Sequence, residues 1–304
     1  MSTPVLECKN VCYSYHNLNG ETKALSDLSF RIDRGEFVAI VGPSGCGKST
    51  LLSLISGLLM PQSGEILLEK EASAGIGYML QQDHLFEWRS IWKNILLGLE
   101  ISGTYSPQKK ALAEKLLKDY GLYAFKDKKP NELSGGMMQR TAIALSLLNN
   151  PEMILFDEAT TALDRITQGQ ILMEVKRLEK EFNLTRIMIT HDISVVASSC
   201  THIAVLYAGR LMETGTTADV LKQPLHPYTI GLLNAFPKLH GEKTRMTGIS
   251  GSLPDLSQPI PGCVFAPRCP YATEECRKCA PPLTDVGNGR QIACHHPAGK
   301  EEKQ

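Results

Sequence analysis

Residues 42–50 are the first of three stretches whose residue types suit phosphate and metal chemistry, since they fit the pattern G-x-x-x-x-G-K-[ST]. Glycines let the backbone take conformations that a Cβ would block, so that successive N–H groups can converge on a polyphosphate. Lys48 would supply positive charge to the β- and γ-phosphates, and the Ser49 hydroxyl is placed to ligate Mg²⁺. The candidate binding residues are Gly42, Pro43, Ser44, Gly45, Cys46, Gly47, Lys48, Ser49 and Thr50.

Two carboxylates follow the apolar run 153–156, which has the composition of a parallel strand buried on both faces. Ligands in parallel sheets lie at the carboxyl ends of the strands. Asp157 is therefore placed to hold Mg²⁺ through water, and Glu158 to orient and deprotonate an attacking water. A second apolar run, 186–190, ends at His191, which could contact the γ-phosphate. The alternatives are surface acids that cap a strand and a structural histidine.

A second glycine turn, formed by Ser134, Gly135 and Gly136, precedes a predicted helix over 141–148. A serine and two amides at a helix N-terminus make another anion site, but this one has no lysine of its own. The first site is thus complete and the second is not. We infer that the second works on a nucleotide held by another subunit.

Two further candidates adjoin predicted strands. Tyr15 precedes a polar turn, where its ring could stack on an adenine or belong to the core. Gln81 follows the predicted strand 77–80 and could reach Mg²⁺ or the attacking water. The loop 81–92 could then respond to bound nucleotide, the alternative being a solvent loop with core aromatics.

Composition limits the class of protein. A chain of 304 residues with 42% apolar content can bury one large core, or one core and an appendage. Its 32 basic and 32 acidic residues balance, so charge gives no reason to expect nucleic acid as a partner. We find no signal peptide and no run of 18 apolar residues, and expect a cytosolic protein that reaches a membrane through a partner.

The predicted elements place these motifs at strand ends and helix starts. Residues 5–41 have the pattern of antiparallel strands, and a helix from Ser49 should end near Leu59, before Pro61. Short strands are predicted over 65–69 and 77–80, and mostly helix over 91–150. One apolar helix face is expected from Ala111, Leu112, Leu116, Leu117 and Tyr120.

Taken in this order, the motifs resemble those of the ATP-binding cassette subunit of an ABC transporter. The resemblance implies an α/β fold, with a P-loop NTPase (RecA-like) core, an antiparallel β-subdomain and an α-helical signature subdomain. It implies ATP and Mg²⁺ as ligands, with Ser49, Gln81 and Asp157 around the metal. It also implies a role for each motif residue. Tyr15 stacks on adenine, and three residues act in hydrolysis: Gln81, Glu158 and His191. The turn of Ser134, Gly135 and Gly136 closes on an ATP molecule bound by the other subunit, and Asp164 lies in the D-loop.

The same resemblance implies partners. These are a second, identical or paralogous ABC ATPase subunit, two integral membrane permease subunits and, indirectly, an extracytoplasmic solute-binding protein, with the chain peripheral at the cytoplasmic face of the cell membrane. A soluble ABC-type ATPase outside transport is the alternative of another class. Such proteins carry a coiled-coil insertion, a zinc hook or two cassettes in one chain, and we see none of these in the sequence.

The C-terminal third resembles the oligopeptide, dipeptide and nickel importer ATPases, through His226-Pro227-Tyr228 and the cysteine-proline segment 262–270. We predict a nucleotide-binding domain over 1–236, with its helical subdomain at about 88–150, and an extension over 237–304. The loop 81–99 is instead similar to that of nitrate and taurine importer ATPases. Import of peptides or nickel is thus the first expectation and import of a small anion the alternative.

Cys263, Cys269, Cys276 and Cys294 are separated by five, six and seventeen residues, too widely for the short paired knuckles of structural zinc sites. Four thiolates on irregular loops suit a [4Fe-4S] cluster, and nearby basic residues (Arg268, Arg277 and Lys278) are expected to favour the thiolates. Some members of the importer subfamily carry such a cluster. The pair Cys276 and Cys279, with two histidines after Cys294, leaves Zn²⁺ open, and an empty thiol cluster is the third possibility.

Overall fold

A computed structural model describes residues 4–18, 20–69, 75–81, 84–158, 169, 184–235 and 248–298. Asp164 lies outside the described residues. The chain divides into two units, and we describe each by itself. Unit 1 comprises Met1–Val5, Asp33–Glu36 and Leu68–Thr190, and unit 2 comprises Leu6–Ile32, Phe37–Leu67 and His191–Gln304.

Strands and helices alternate along most of the described chain. The strands are β1 (Leu6–Asn17), β2 (Gly20–Ile32), β3 (Phe37–Val41), β4 (Ser63–Leu68), β5 (Ile76–Met79), β6 (Met153–Asp157), β7 (Thr185–Ile189), β8 (His202–Tyr207), β9 (Arg210–Thr216), β10 (Thr284–Gly287) and β11 (Arg290–Ile292). The α-helices are α1 (Lys48–Ile55), α2 (Ile91–Ser102), α3 (Pro107–Asp119), α4 (Gly135–Leu147), α5 (Ile193–Ser199), α6 (Thr217–Lys222), α7 (Pro227–Asn234) and α8 (Glu274–Lys278). Short 3₁₀ turns are Tyr123–Phe125, Pro130–Glu132 and Ala266–Arg268.

Unit 1 is built on three parallel strands in the order β7-β6-β5. Every residue of β6 and β7 is buried, as expected of parallel strands covered on both faces. In the register of this sheet Met79 pairs with Phe156, and Asp157 with Ile189. Gln81 and Glu158, which come just after these strands, therefore emerge at one edge of the sheet.

Unit 2 contains the predicted antiparallel strands and a second run of strands. β1 lies between β2 and β4 and pairs antiparallel with β2. The second run has the order β10-β11-β9-β8-β3, in which only the β3–β8 pair is parallel among the pairings described. The C-terminal strands β10 and β11 thus extend the sheet at the β9 edge.

A buried ion pair fastens this C-terminal edge. The Arg290 guanidinium on β11 donates to the Glu213 carboxylate on β9, and the Glu213 side chain is fully buried. The same carboxylate accepts the backbone N–H groups of Leu225 and His226, each at 3.0 Å. These bonds satisfy a buried charge that would otherwise be costly, and they fix the segment that leads into α7.

The predicted elements are present, but four details were wrong. Strand β3, within the stretch 5–41 that was expected to be antiparallel, pairs parallel with β8. Helix α1 ends at Ile55 because Gly57 takes the left-handed conformation with φ 76°, several residues before Pro61. Helix α4 begins at Gly135 and not at residue 141, because the Ser134 side chain caps it. The buried face of α3 uses Ala113, whereas Ala111 is exposed.

Within the described ranges, no helix is both long enough and apolar enough to cross a membrane.

Candidate functional site

The glycine-rich loop connects β3 to α1, as its sequence predicts. Gly47 caps α1 with φ 103°, and a Cβ on it would lie 2.4 Å from the Ala24 carbonyl oxygen. A Cβ on Gly42 would lie 2.2 Å from the Leu206 carbonyl oxygen. Only glycine fits either position, so the loop keeps its backbone amides close to the start of the helix.

Lys48 is held against this loop. Its Nζ donates to the carbonyl oxygens of Gly42 and Pro43, both at 2.9 Å, and the residue is buried. Ser44 and Ser49, by contrast, are exposed on the loop and at the helix start. The arrangement presents an ammonium, backbone amides and hydroxyls together, which is the donor set that polyphosphate and Mg²⁺ require.

Tyr15 lies beside this loop. Its hydroxyl is 3.2 Å from the Thr50 hydroxyl, and its ring makes an edge contact with Tyr13. The residue is 45% exposed, so the alternative of a core tyrosine was wrong. An exposed ring at the edge of the phosphate loop keeps a face free for stacking.

Unit 1 contains the two carboxylates that the sequence assigns to Mg²⁺ and to the attacking water. Asp157 is buried at the end of β6, and Glu158 follows in the left-handed conformation with φ 48°. The Glu158 backbone N–H donates to the Ile189 carbonyl oxygen at 3.1 Å, which holds this uncommon conformation. The Gln81 amide lies 3.5 Å from the Glu158 carboxylate, at the long limit of a hydrogen bond. The structure thus brings the Gln81 and Glu158 side chains together, while their catalytic roles stay a prediction.

The second glycine turn forms the exposed N-terminus of α4. The Ser134 hydroxyl accepts the backbone N–H of Met137 at 3.4 Å. For Gly135, no heavy atom among the described residues lies within 4 Å of where a Cβ would be. Ser134 and Gly135 are both exposed, so the turn is an open surface of unit 1.

His191 follows β7 and is exposed. The next residue, Asp192, caps α5 by accepting the backbone N–H of Ser194 at 2.9 Å. Tyr15, the glycine-rich loop and His191 belong to unit 2, whereas Gln81, the Ser134 turn, Asp157 and Glu158 belong to unit 1.

Four cysteines line one cavity in unit 2, and they are the four that the spacing singled out: Cys263, Cys269, Cys276 and Cys294. Burial raises the pKa of Cys294 to about 11, and the other three thiols add to the rise. Cys279 is exposed and does not line the cavity. The four thiols are therefore close enough to interact electrostatically.

Burial outweighs the basic residues near the cavity, contrary to expectation, and the one that lowers the pKa of Cys263 is Arg210, which was not among the three expected. Burial raises the pKa of Cys263 and of Cys269. Arg268 is turned toward the Tyr207 hydroxyl and the Ile249 and Ser250 carbonyl oxygens. The two other basic side chains, Arg277 and Lys278, pair with Glu274 on α8.

Metal binding by this cluster stays a prediction. Across the part of the chain that the structure describes, no group of three or more His, Cys, Asp and Glu side chains could hold a metal ion. The thiols line a cavity wall, and neither Zn²⁺ nor an iron–sulfur cluster follows from their positions alone.

The sequence reasoning assigned no role to His226, which lines the same cavity. Burial lowers the pKa of His226 to about 4, against a smaller opposite effect of the nearby Ala293 carbonyl. Tyr228, two residues on, packs against Phe265 with ring centroids 5.3 Å apart. Burial raises the pKa of Tyr228, and the Cys46 thiol of the glycine-rich loop adds to this rise. The His226-Pro227-Tyr228 motif was the available signal, but only packing shows what it touches.

Comparison with known proteins places these features in a family. The family model described as "ABC transporter" matches residues 25–161, and the model "Oligopeptide/dipeptide transporter, C-terminal region" matches residues 212–276. Across nearly its whole length the chain is similar to the oligopeptide transport ATP-binding protein OppD of Haemophilus influenzae, with 36% identity over 96% of this chain and 97% of that one. The chain belongs to the ABC transporter family.

Other relatives agree with this assignment. The dipeptide transport ATP-binding protein DppD of Bacillus subtilis is 35% identical over 95% of this chain and 94% of its own length. Among solved structures, the ATP-binding cassette MJ0796, in a dimeric post-hydrolysis state with ADP and Pi, has a TM-score of 0.63 and 34% identity. That match covers 70% of this chain and 98% of MJ0796. The predicted α/β P-loop NTPase fold is therefore confirmed, and this ABC transporter chain is an ATPase.

Proposed function

We propose that this ABC ATPase powers the import of peptides through partner membrane permeases. The observation that carries the proposal is the similarity to OppD and DppD, which extends over the cassette and the C-terminal third alike. It favours peptides over the nitrate and taurine class suggested by residues 81–99. A nickel importer shares the same C-terminal resemblance and is the second candidate.

Uptake by intact cells separates these substrates. Deleting the coding sequence in the source organism is expected to abolish uptake of a labelled tetrapeptide and to leave nitrate, taurine and nickel uptake unchanged. Re-expression of the wild-type chain should restore peptide uptake. Normal peptide uptake together with loss of nickel or taurine uptake would contradict the proposal and identify the alternative substrate.

We infer the nucleotide-binding residues from the chemistry of the glycine-rich loop and from the residues that follow the strands of unit 1. The amides of residues 42–47 and the Lys48 ammonium would bind the phosphates, and the exposed Tyr15 ring would stack on adenine. By the family resemblance, Ser49, Gln81 and Asp157 would supply the oxygen donors that suit Mg²⁺. When bound, Mg²⁺ neutralises charge on the phosphates. Glu158, held by its backbone and contacted by Gln81, would take the proton from the attacking water.

We place the remaining half of each site on a second ATPase subunit. The Ser134 turn is an exposed helix N-terminus with backbone N–H donors, a capping hydroxyl and no lysine, which suits the γ-phosphate of a nucleotide bound elsewhere. Two chains, identical or paralogous, would pair head to tail around two ATP molecules. Asp164 and His191 would complete the site, as the family resemblance implies.

Replacing Gly135 by Ala tests this composite site. The new methyl group meets nothing within the described subunit and suits a helix, so the free energy of unfolding should not fall. The methyl would occupy space needed by the partner's phosphate, and we expect ATPase activity to drop at least about tenfold, with ATP affinity of the isolated chain unchanged. Wild-type turnover in Gly135→Ala, measured at the same protein concentration, would argue against the second half-site.

The permeases are expected to bind at an aromatic pair in loop 81–92. The Phe86 and Trp88 rings pack in a tilted arrangement with centroids 4.7 Å apart. Both side chains are exposed, by 39% and 72%, so the alternative of core aromatics was wrong for these two. Buried Asn94 holds the loop by donating to the carbonyl oxygens of Phe86, Arg89 and Ser90. A rigid exposed tryptophan suits an interface anchor. Binding there would place the chain at the cytoplasmic face of the membrane. A solute-binding protein on the other side of the membrane would deliver the peptide to the permeases.

We also propose that the cysteine cavity holds a [4Fe-4S] cluster. Four cysteines line one cavity, which is the number of thiolate ligands that such a cluster takes, and they lie too far apart in sequence for short zinc knuckles. Protein prepared without oxygen should contain iron and acid-labile sulfide in equal amounts. Stoichiometric zinc without sulfide would overturn the cluster, while peptide import would stand.

A further inference from the structure

Gln62 comes just before β4 and contacts β1 through both its backbone and its side chain. Its backbone N–H donates to the Cys12 carbonyl oxygen at 3.0 Å. Its side-chain oxygen accepts the backbone N–H of Ser14 at 2.8 Å, and its side-chain nitrogen donates to the Ser14 carbonyl oxygen at 3.0 Å. The amide thus pairs with Ser14 as a residue of a neighbouring strand would, and it extends the contact between β4 and β1.

These two bonds fix which end of the Gln62 amide is the oxygen. A backbone N–H only donates and a carbonyl oxygen only accepts, so the amide nitrogen must face the Ser14 carbonyl. The same nitrogen lies 3.1 Å from Nε2 of His16. Because an amide NH₂ group only donates, Nε2 of His16 must accept this bond, which places the proton of the neutral ring on Nδ1. One side-chain amide therefore holds Ser14 and His16 together.

Ser14 and His16 flank Tyr15, the residue to which we assign adenine stacking. Side chains alternate along a strand, so the Tyr15 ring points to the opposite face from its two neighbours. The Tyr13 and Tyr15 rings share that face, since they make an edge contact with centroids 5.1 Å apart. There the Tyr15 hydroxyl lies 3.2 Å from the hydroxyl of Thr50 on α1. The Gln62 amide therefore holds the strand that presents this ring to the phosphate loop.

Tyr15 lies near the tip of the hairpin formed by β1 and β2, where it pairs with Thr22. The register of this hairpin shifts between Tyr13 and Ser14, so the tip does not continue a regular ladder. A two-stranded hairpin is only marginally stable by itself. A further contact on its free edge limits the positions that the tip can take, and Gln62 supplies such a contact on the β4 side of β1.

We propose that Gln62 is a positioning residue for the nucleotide base and acts through Tyr15. By holding Ser14 and His16, it keeps the Tyr15 ring where an adenine bound at the glycine-rich loop stacks on it. The ring is ordered before the nucleotide arrives, so less conformational freedom is lost on binding. This inference rests on the proposed nucleotide site and adds to it a residue outside the motifs.

Gln62→Ala removes the side-chain hydrogen bonds and leaves Tyr15 and the glycine-rich loop in place. We expect it to weaken binding of a non-hydrolysable ATP analogue about fivefold, which is part of what stacking on one base contributes. Binding of inorganic tripolyphosphate, which has no base, should be unchanged. Calorimetric titration of the full chain with Mg²⁺ measures both affinities. The matched control is Gln108→Ala, which removes an exposed amide on α3 and should bind both ligands like wild type.

A double-mutant cycle with Tyr15→Ala separates positioning of the ring from a direct effect on the site. If Gln62 acts through the ring, Gln62→Ala should cause no further loss of analogue binding in the Tyr15→Ala background, although each change alone weakens it. Losses that add up in the double variant would overturn the inference. An equal loss of analogue and tripolyphosphate binding in Gln62→Ala would also overturn it, because the damage would then lie in the phosphate loop.

Gln62→Glu is a second variant, of the same size, for the case in which Gln62→Ala does not fold. Its carboxylate still accepts the Ser14 N–H but has no proton to donate to the Ser14 carbonyl oxygen, so the same selective loss is expected. The two possible failures stay apart. Wild-type analogue affinity in both Gln62 variants, with weakened binding in Tyr15→Ala, removes the role of Gln62 alone. Wild-type affinity in Tyr15→Ala removes the proposed adenine stack and this inference with it.

Discussion

Replacing Glu158 by Gln is expected to lower ATP turnover by about 10²- to 10⁴-fold, the usual effect of removing a general base. Glu158 follows β6 at its carboxyl end, and the hydrogen bond from its backbone N–H to the Ile189 carbonyl oxygen holds its conformation. Its carboxylate lies 3.5 Å from the Gln81 amide nitrogen. Glutamine keeps the size and the hydrogen bonds but cannot take the proton. ATP should therefore remain bound, and the closed dimer should accumulate in size-exclusion chromatography with ATP.

Glu100→Gln is a matched control for this result. Glu100 pairs with Arg89 on the surface of the same unit, and such pairs contribute little to stability. The Glu100→Gln protein should hydrolyse ATP at the wild-type rate and show no trapped dimer. Wild-type turnover in Glu158→Gln would remove Glu158 as the base, and loss of turnover in both variants would point to a general loss of structure.

Replacing Lys48 by Ala should weaken ATP binding by about 100-fold. Hydrogen bonds to charged groups contribute about 1.5 to 3 kcal/mol each, and the ammonium is the only side-chain cation in the predicted loop 42–50. Its present partners, the Gly42 and Pro43 carbonyl oxygens, show that the ammonium is already at the loop. Equilibrium binding of a fluorescent ATP analogue measures the loss.

An exposed lysine provides the comparison. Lys110→Ala, in the first turn of α3, should bind the analogue with wild-type affinity. A melting temperature near that of wild type would show that Lys48→Ala is folded. Undiminished affinity in a folded Lys48→Ala protein would contradict the assignment of the phosphate cradle.

Local patterns were sufficient to predict strands β1 to β7 and the phosphate loop, but not strands β8 to β11. The run 153–156 is apolar throughout and buried throughout, and Gly42 and Gly47 of the loop are required because a Cβ on either would lie within 2.4 Å of a carbonyl oxygen. Helix limits were less predictable because they depend on single residues. Gly57 ends α1 early, and the capping hydroxyl of Ser134 starts α4 within a stretch that looks like a turn.

Features that depend on packing could not be predicted in full. The spacing identified which four cysteines share a cavity, but not that burial raises the pKa of Cys263, Cys269 and Cys294, because Arg268 turns away to Tyr207 and burial dominates. The helix-capping contact of His226 could not be predicted for the same reason, since it depends on how the start of α7 packs.

ATP-driven uptake of a labelled peptide into proteoliposomes that contain the whole transporter tests the central claim most directly. With the wild-type chain, we expect the peptide to accumulate only when ATP is supplied on the side of the ATPase. With Glu158→Gln, accumulation should stop although ATP still binds. Equal uptake with both chains, or uptake without ATP, would contradict the account of this protein as the ATPase that powers peptide import.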